Sequence, residues 1–288
     1  MTQETKLPVW FVVSAAAMVL IGNVFAYLTP LIDIFEIASR DPERAYIFIV
    51  PLIAIYLAWL RRTRIHEFKL KPSWAGPFIM LLGWLCYLIG GAESIMFMWH
   101  MGFLISVIGG IVAFTGPGVL RPFAPAFLVL FVMVPLPGSA RQHLTQPMQS
   151  LATSVSTFIL DLAGVPAIQA GNLITINGVT VAVGEACDGM RLLVPLGLVI
   201  FAFVFSLPLN FKMRSALIIA SVPVGLICNV FRLVPTALAY GYTPSIAERV
   251  HDVGGWGMIP LSIVILLGLL RLIAWLDIPV SRWRLVTG

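Results

Sequence analysis

Three side chains in the C-terminal half of this 288-residue chain are of types that could do chemistry together: Cys187, Arg232 and His251. A cysteine acts as a nucleophile only as the thiolate, which a nearby cation or a helix N-terminus favours. Cys187 opens an apolar run, and Arg191 follows one helical turn later. His251 could take the thiol proton and later return it to a leaving amine. Arg232 lies inside another apolar run, where an ionised side chain costs several kcal/mol and is usually paired or functional. It could stabilise the oxyanion of a tetrahedral intermediate. Plainer readings stand beside these: an inert cysteine packed at a helix start, a solvated histidine, and an arginine paired with Glu185 or Asp188 that locks two helices. Cys187 and His251 make only two metal ligands, and no C-x-x-C or H-E-x-x-H spacing supplies more, so neither a metal nor another cofactor is expected.

The elements that must position these residues are membrane spans. Hydrophobic residues make up 59% of the chain, charged residues 11%, and the mean hydropathy is +0.98. Soluble domains carry about 25% charged residues. Apolar runs predict an all-α polytopic membrane protein of eight transmembrane helices at about 8–28, 45–61, 75–92, 95–115, 121–136, 188–207, 214–240 and 255–276. Most approach the ~20 residues that cross ~30 Å of hydrocarbon, and helices satisfy their own backbone groups there. Pro122 and Pro125 weaken the fifth, and Pro223 and Pro235 predict a kink in the seventh. The first run offers no convincing signal-peptidase site and reads as a retained span. Cys86 and Cys228 fall inside apolar runs as small buried hydrophobes.

Arg61, Arg62, Arg64, Lys69, Lys71, Arg121, Lys212, Arg214, Arg282 and Arg284 fall in alternate loops, which the positive-inside rule assigns to the cytoplasm. Both termini then lie inside, and Cys187, Arg232 and His251 share the outer side: the first opening span six, the second in the outer third of span seven, the third in the loop before span eight. The net charge of +5 reads as topology rather than as a nucleic-acid footprint. Residues 1–288 are expected to form a single integral membrane domain, with no soluble domain after the last span. Within it, 137–187 is an outer-face loop and 187–256 carries the chemical motifs. From Arg141 to Leu162 apolar residues recur on one helical face, which suits either a helix lying flat at the interface or one packed on its neighbours. From Asn172 to Val183 two β-branched runs flank Asn177-Gly178, a pair that accepts the positive φ angles of a type I′ turn and predicts a small β-hairpin.

Glu185-Ala186-Cys187-Asp188-Gly189-Met190-Arg191 resembles the Glu-Ala-Cys-Ser-Gly-Leu-Arg block of the exosortase/archaeosortase family. Asn229-Val230-Phe231-Arg232 resembles its Asn-x-x-Arg block, and His251 through Gly255-Trp256 its histidine followed by Gly-Trp. The early Pro51-containing span and Gly164-Val165-Pro166 with the hairpin are similar to further parts of it. Asp188 and Met190 depart from the common Ser and Leu. The resemblance implies a membrane-embedded cysteine protease–transpeptidase acting on proteins with a C-terminal tripartite signal: a short motif (Pro-Glu-Pro in many systems), a transmembrane helix and a basic tail. It implies that Cys187 is the nucleophile, Arg232 the transition-state stabiliser and His251 the acid/base, with Glu185, Asp188, Arg191, Asn229 and Asp252 in support. An acid beside the thiol opposes its ionisation unless a cation such as Arg191 pairs with it.

The implied partners are membrane-anchored protein substrates, an unidentified amine acceptor and membrane lipid; nucleic acid is not expected. The implied location is a bacterial or archaeal cytoplasmic membrane, with the active site at the outer face. A transporter, or a scaffold subunit of an envelope or exopolysaccharide export system, is the alternative. A transporter would carry charges near the middle of several spans, and few lie there. No G-x-S-x-G or H-E-x-x-H motif supports an intramembrane serine or metalloprotease.

Overall fold

A computed structural model describes residues 9–67, 71–183 and 189–275 of the chain. They fall into two compact units, Met1–Pro137 and Gly138–Gly288.

In the first unit, α1 (Val9–Ala26) bends by 66° into α2 (Leu28–Arg40). A 3₁₀ segment at Pro42–Phe48 leads to α3 (Val50–Leu60), followed by α4 (Ala75–Ala92), α5 (Met96–Thr115) and the short α6 (Ala124–Leu130). The sequence reading placed a loop where α2 lies. Pro30, Ile34 and Ala38, four residues apart, form the buried line of that helix, while Glu36 is exposed and Asp33 half-buried. Buried polar side chains tie the bent pair to α5. Asn23 Nδ2 donates to Ser106 Oγ at 2.8 Å, and His100 Nε2 lies 2.8 Å from Asp33 Oδ2.

The α4–α5 hairpin is set by glycine. Gly76, Gly83 and Gly90 recur every seven residues and are buried against Ala113, Ser106 and Trp99 of α5. A Cβ built on Gly83 would lie 2.6 Å from Ser106 N, and one on Gly90 2.3 Å from Trp99 N. The backbones therefore touch, as small-residue helix pairs do where lipid supplies no hydrophobic drive between helices.

The second unit begins with α7 (Gly138–Leu162), the amphipathic helix read from the sequence. It packs against a three-stranded antiparallel sheet, β1 (Ala167–Ala170), β2 (Leu173–Ile176) and β3 (Val179–Ala182), in the order β1-β2-β3. The expected hairpin is β2–β3, with Ile174 opposite Val181 and Thr175 opposite Thr180. Asn177 and Gly178 take φ of +52° and +77°, the signs the I′ turn requires. β1 adds a strand that the pattern Ala-Ile-Gln-Ala does not announce. Ile174 and Ile176 point inward onto Ala152, Leu160, Leu233 and Ala237.

Three helices complete the unit: α8 (Gly189–Ser206), α9 (Phe211–Tyr242) and α10 (Pro244–Trp275). Asn210 caps α9, its Oδ1 accepting from Met213 N at 2.8 Å. Leu196, Ile200 and Val204 of α8 form one core with Met213, Leu217, Val224 and Cys228 of α9 and Met258 and Leu266 of α10. Cys228 is thus a small core residue, as expected; Cys86 is half-buried.

Among the described residues, four helices are long and apolar enough to cross a membrane: Ala75–Ala92, Met96–Thr115, Phe211–Tyr242 and Pro244–Leu272. The number rises to six if two bent helix pairs each count as one span. Arg44–Leu60 and Val194–Ser206 are apolar but shorter. Large apolar side chains such as Leu52, Ile55, Phe78, Ile219 and Phe231 stand outward on these helices, an arrangement suited to hydrocarbon and costly in water.

Candidate active site

Arg232 sits on the buried face of α9. It is 5% exposed, and Cys228, Leu233 and Thr236 around it are fully buried. Asn229, three residues earlier and so on the same face, is also 5% exposed. Pro235 has no N–H to give the carbonyl of Phe231, and the Thr236 hydroxyl donates to the Arg232 carbonyl at 2.8 Å. Both features relax the helix locally at the arginine.

The side chain of Arg232 reaches α10. A Cβ on Gly254 would lie 2.8 Å from Arg232 Cγ, 3.6 Å from its Cβ and 3.7 Å from its Cδ. One on Gly255 would lie 4.0 Å from Nη1. The guanidinium stem thus runs along a glycine surface. His251 lies three residues before Gly254, on the same face and one turn away. The sequence reading put His251 in a loop; it lies inside α10 instead, because that helix starts at Pro244, whose fixed φ suits a first turn. His251 Nδ1 is 3.2 Å from Oδ1 of the exposed Asp252. This pairing leaves Nε2 as the nitrogen available to a reacting group.

Four buried polar atoms on this face have no hydrogen-bond partner among the described residues: Asn229 Oδ1, Arg232 Nε, Arg232 Nη2 and His251 Nε2. Leaving such atoms unpaired costs on the order of 1–3 kcal/mol each, and more for charged groups. They comprise two donors on a cation, one acceptor, and an imidazole nitrogen that can act either way. An oxyanion and a transferred proton would use the cation and the imidazole.

The sheet abuts the same end of α9. Asn177 Nδ2 donates to the Gly241 carbonyl at 3.2 Å, and a Cβ on Gly241 would lie 2.6 Å from Ile176 Cγ2. The hairpin turn is therefore fixed to α9 between two and three turns beyond Arg232.

A family model for transmembrane exosortases matches residues 38–268. The chain belongs to the transmembrane exosortase family. No curated protein and no solved structure matches it. This exosortase-family chain is accordingly a multi-pass membrane protein of sorting-signal processing, and its long apolar helices fit that assignment.

Of the residues singled out in the sequence, the structure puts Asn229 and Arg232 on the buried face of α9, with Arg232 against α10 one turn from His251 and Asp252 exposed beside that histidine. Cys187, Glu185 and Asp188 lie outside the described residues, as does the side chain of Arg191, whose backbone belongs to α8. Gly254 was not singled out for a role of its own. Its signal was a Gly-Gly pair one turn after a histidine, in a stretch whose glycines read as a loop.

Proposed function

We propose that this exosortase-family protein cleaves the C-terminal sorting signal of exported, membrane-anchored proteins through a cysteine thioester, and transfers the product to an amine acceptor. The observation that carries this reading is the buried Arg232 guanidinium, with two donors unmatched among the described residues, lying against α10 one turn from His251.

In this scheme His251 takes the Cys187 thiol proton, and the thiolate attacks the scissile carbonyl carbon. Arg232 donates to the oxyanion that forms. A donor aimed at such an oxygen is worth roughly 10²–10³ in rate. The intermediate collapses as the C–N bond breaks, and the departing amine on the substrate helix takes the proton from His251. The thioester left on Cys187 is then attacked by an acceptor amine, which passes a proton to the histidine and regenerates the thiol. Water in place of the amine gives hydrolysis. Asp252 holds the imidazole, and Asn229 extends the polar face beside the arginine. β3 ends five residues before Cys187 in sequence, and its outer edge pairs with no strand among the described residues. In this scheme an extended substrate adds to that edge as a further strand. In the proposed topology this chemistry faces outward and both termini are cytoplasmic.

The test is coexpression of a fusion protein ending in Pro-Glu-Pro, a transmembrane helix and a basic tail with wild type, Cys187→Ala, Arg232→Ala or His251→Ala. Wild type is expected to release the ectodomain and each variant to leave it anchored, with intact mass separating transfer from hydrolysis. Equal cleavage by Cys187→Ala would refute the thiol mechanism.

A further inference from the structure

We infer that Gly254 is a positioning residue for the reaction: its missing side chain is the notch in α10 that holds the Arg232 guanidinium at its working position. The inference rests on the role given to Arg232 above, but its geometry stands independently. The Cγ of Arg232 occupies the space of a Gly254 side chain, 2.8 Å from where its Cβ would be, and real Cβ atoms essentially never approach another atom so closely.

The contact falls at the root of the arginine, not at its flexible tip. Cβ, Cγ and Cδ of Arg232 all lie within 3.7 Å of the absent methyl. A methyl there must therefore turn the side chain about its first torsions, which swings the guanidinium by far more than the displacement at Cγ. Little room is left for that swing, since Arg232 is 5% exposed with fully buried Cys228 and Leu233 nearby. The alternative is for α10 to move off α9, carrying His251 with it. Either response separates the cation from the imidazole one turn away.

Glycine inside a helix is destabilising by roughly 0.5–1 kcal/mol relative to alanine, so where nothing is touched the change to alanine should stabilise slightly. Gly257, three residues further along the same helix, meets nothing within 4 Å among the described residues. It provides a control for helix propensity alone. Gly254 is the member of the Gly-Gly pair in contact with the arginine's root; Gly255 reaches only Nη1.

The experiment has two readouts on the full-length protein in detergent. The first is thermal stability of Gly254→Ala, Arg232→Ala and the double variant. Gly254→Ala is expected to lower Tm by on the order of 5 °C, and the loss should vanish in the Arg232→Ala background, where no Cγ remains to clash. The same loss in both backgrounds would overturn the notch. The second is processing kinetics with the Pro-Glu-Pro fusion described above. Gly254→Ala is expected to lose about 100-fold in kcat with KM within about twofold, while Gly257→Ala keeps both. A rise in KM at constant kcat, or an equal fall in Gly257→Ala, would overturn the positioning role. If Arg232→Ala does not accumulate, the kinetic comparison decides alone. Coupling in Tm without Cys187-dependent cleavage would uphold the notch and reject the proposed function instead.

Discussion

The helix pairs α4–α5 and α9–α10 use the same residue for opposite purposes. In α4, glycines at every seventh position bring backbone onto backbone: the contacts step from Gly76–Ala113 to Gly83–Ser106 to Gly90–Trp99, advancing by seven along one helix as they retreat by seven along the other. That is the period of a shallow left-handed crossing, and every layer has the same small-residue solution. In α10, Gly254 faces a side chain, and the space it vacates is filled by an arginine stem. One interface spends its glycines on closeness and the other on room for a cation. The first should be intolerant of any added atom. The second should tolerate additions wherever the arginine is not touched.

The sharpest way to break the first half of the comparison is Gly83→Val. Three extra carbons would enter a space where even a Cβ lies 2.6 Å from Ser106 N and 2.8 Å from the Gly102 carbonyl. Backbone atoms cannot swing aside as side chains do, so the cost should reach or exceed the ~1–3 kcal/mol typical of overpacking. Loss of the monodisperse peak in size-exclusion chromatography is expected. A well-behaved variant would show that the α4–α5 approach is looser than its glycines imply.

The second half is sharpened by Arg232→Lys. Lysine keeps the stem that fills the Gly254 notch but replaces the planar fork with a point charge. Stability should change little, and the processing rate should fall by about 10²-fold. The variant would thus separate the packing of the arginine from its chemistry. A matching fall in Tm would mean that the guanidinium head, and not the stem, holds the helices together.

Much of this architecture could be read from the residues, and the departures have physical causes. The Asn177-Gly178 turn and the helix ending at Leu162 were legible because each rests on a local rule, positive φ in one and a single apolar face in the other. β1 was not, because Ala-Ile-Gln-Ala has no strand signature and exists through pairing with β2. The charges of α2 resembled a loop, though Pro30, Ile34 and Ala38 kept helical spacing beneath them. Reading His251 as a loop residue failed for a related reason: Gly254, Gly255 and Gly257 argue against helix on propensity, and the packing of α10 on α9 from Pro244 onward overrides it. Eight apolar runs were visible, but length and composition mark only four to six crossings among the described helices. The site was legible as residue types and order. The fit of Arg232 to Gly254 was not, because no spacing rule relates side chains on two helices.

Asp33→Ala probes a polar contact internal to the first unit. His100 is 1% exposed, with Nε2 on Asp33 and Nδ1 unpartnered among the described residues. Removing the carboxylate orphans a second buried nitrogen at a cost of about 1–3 kcal/mol. Tm is expected to fall by a few degrees. Asp33→Asn should recover most of the loss if the ring is neutral, since an amide oxygen still accepts from Nε2–H. Neither variant should alter kcat, in contrast to any change that moves Arg232. A kcat effect as large as that of Gly254→Ala would overturn the purely structural role given to this contact.

The smallest effect is expected at the tip of the hairpin. Asn177 holds φ at +52° and also donates to the Gly241 carbonyl. Asn177→Ala loses both the tolerance for that backbone angle and the hydrogen bond, about 1–2 kcal/mol together. Asn177→Gly loses only the bond, because glycine takes positive φ freely. If the turn angle dominates, the glycine variant should melt within about 2 °C of wild type and the alanine variant several degrees lower. If the bond to α9 dominates, the two should melt together. The second outcome would make the sheet's attachment to α9, rather than its own turn, the feature that Asn177 serves. The proposed strand-addition edge would then depend on the helix that carries Arg232.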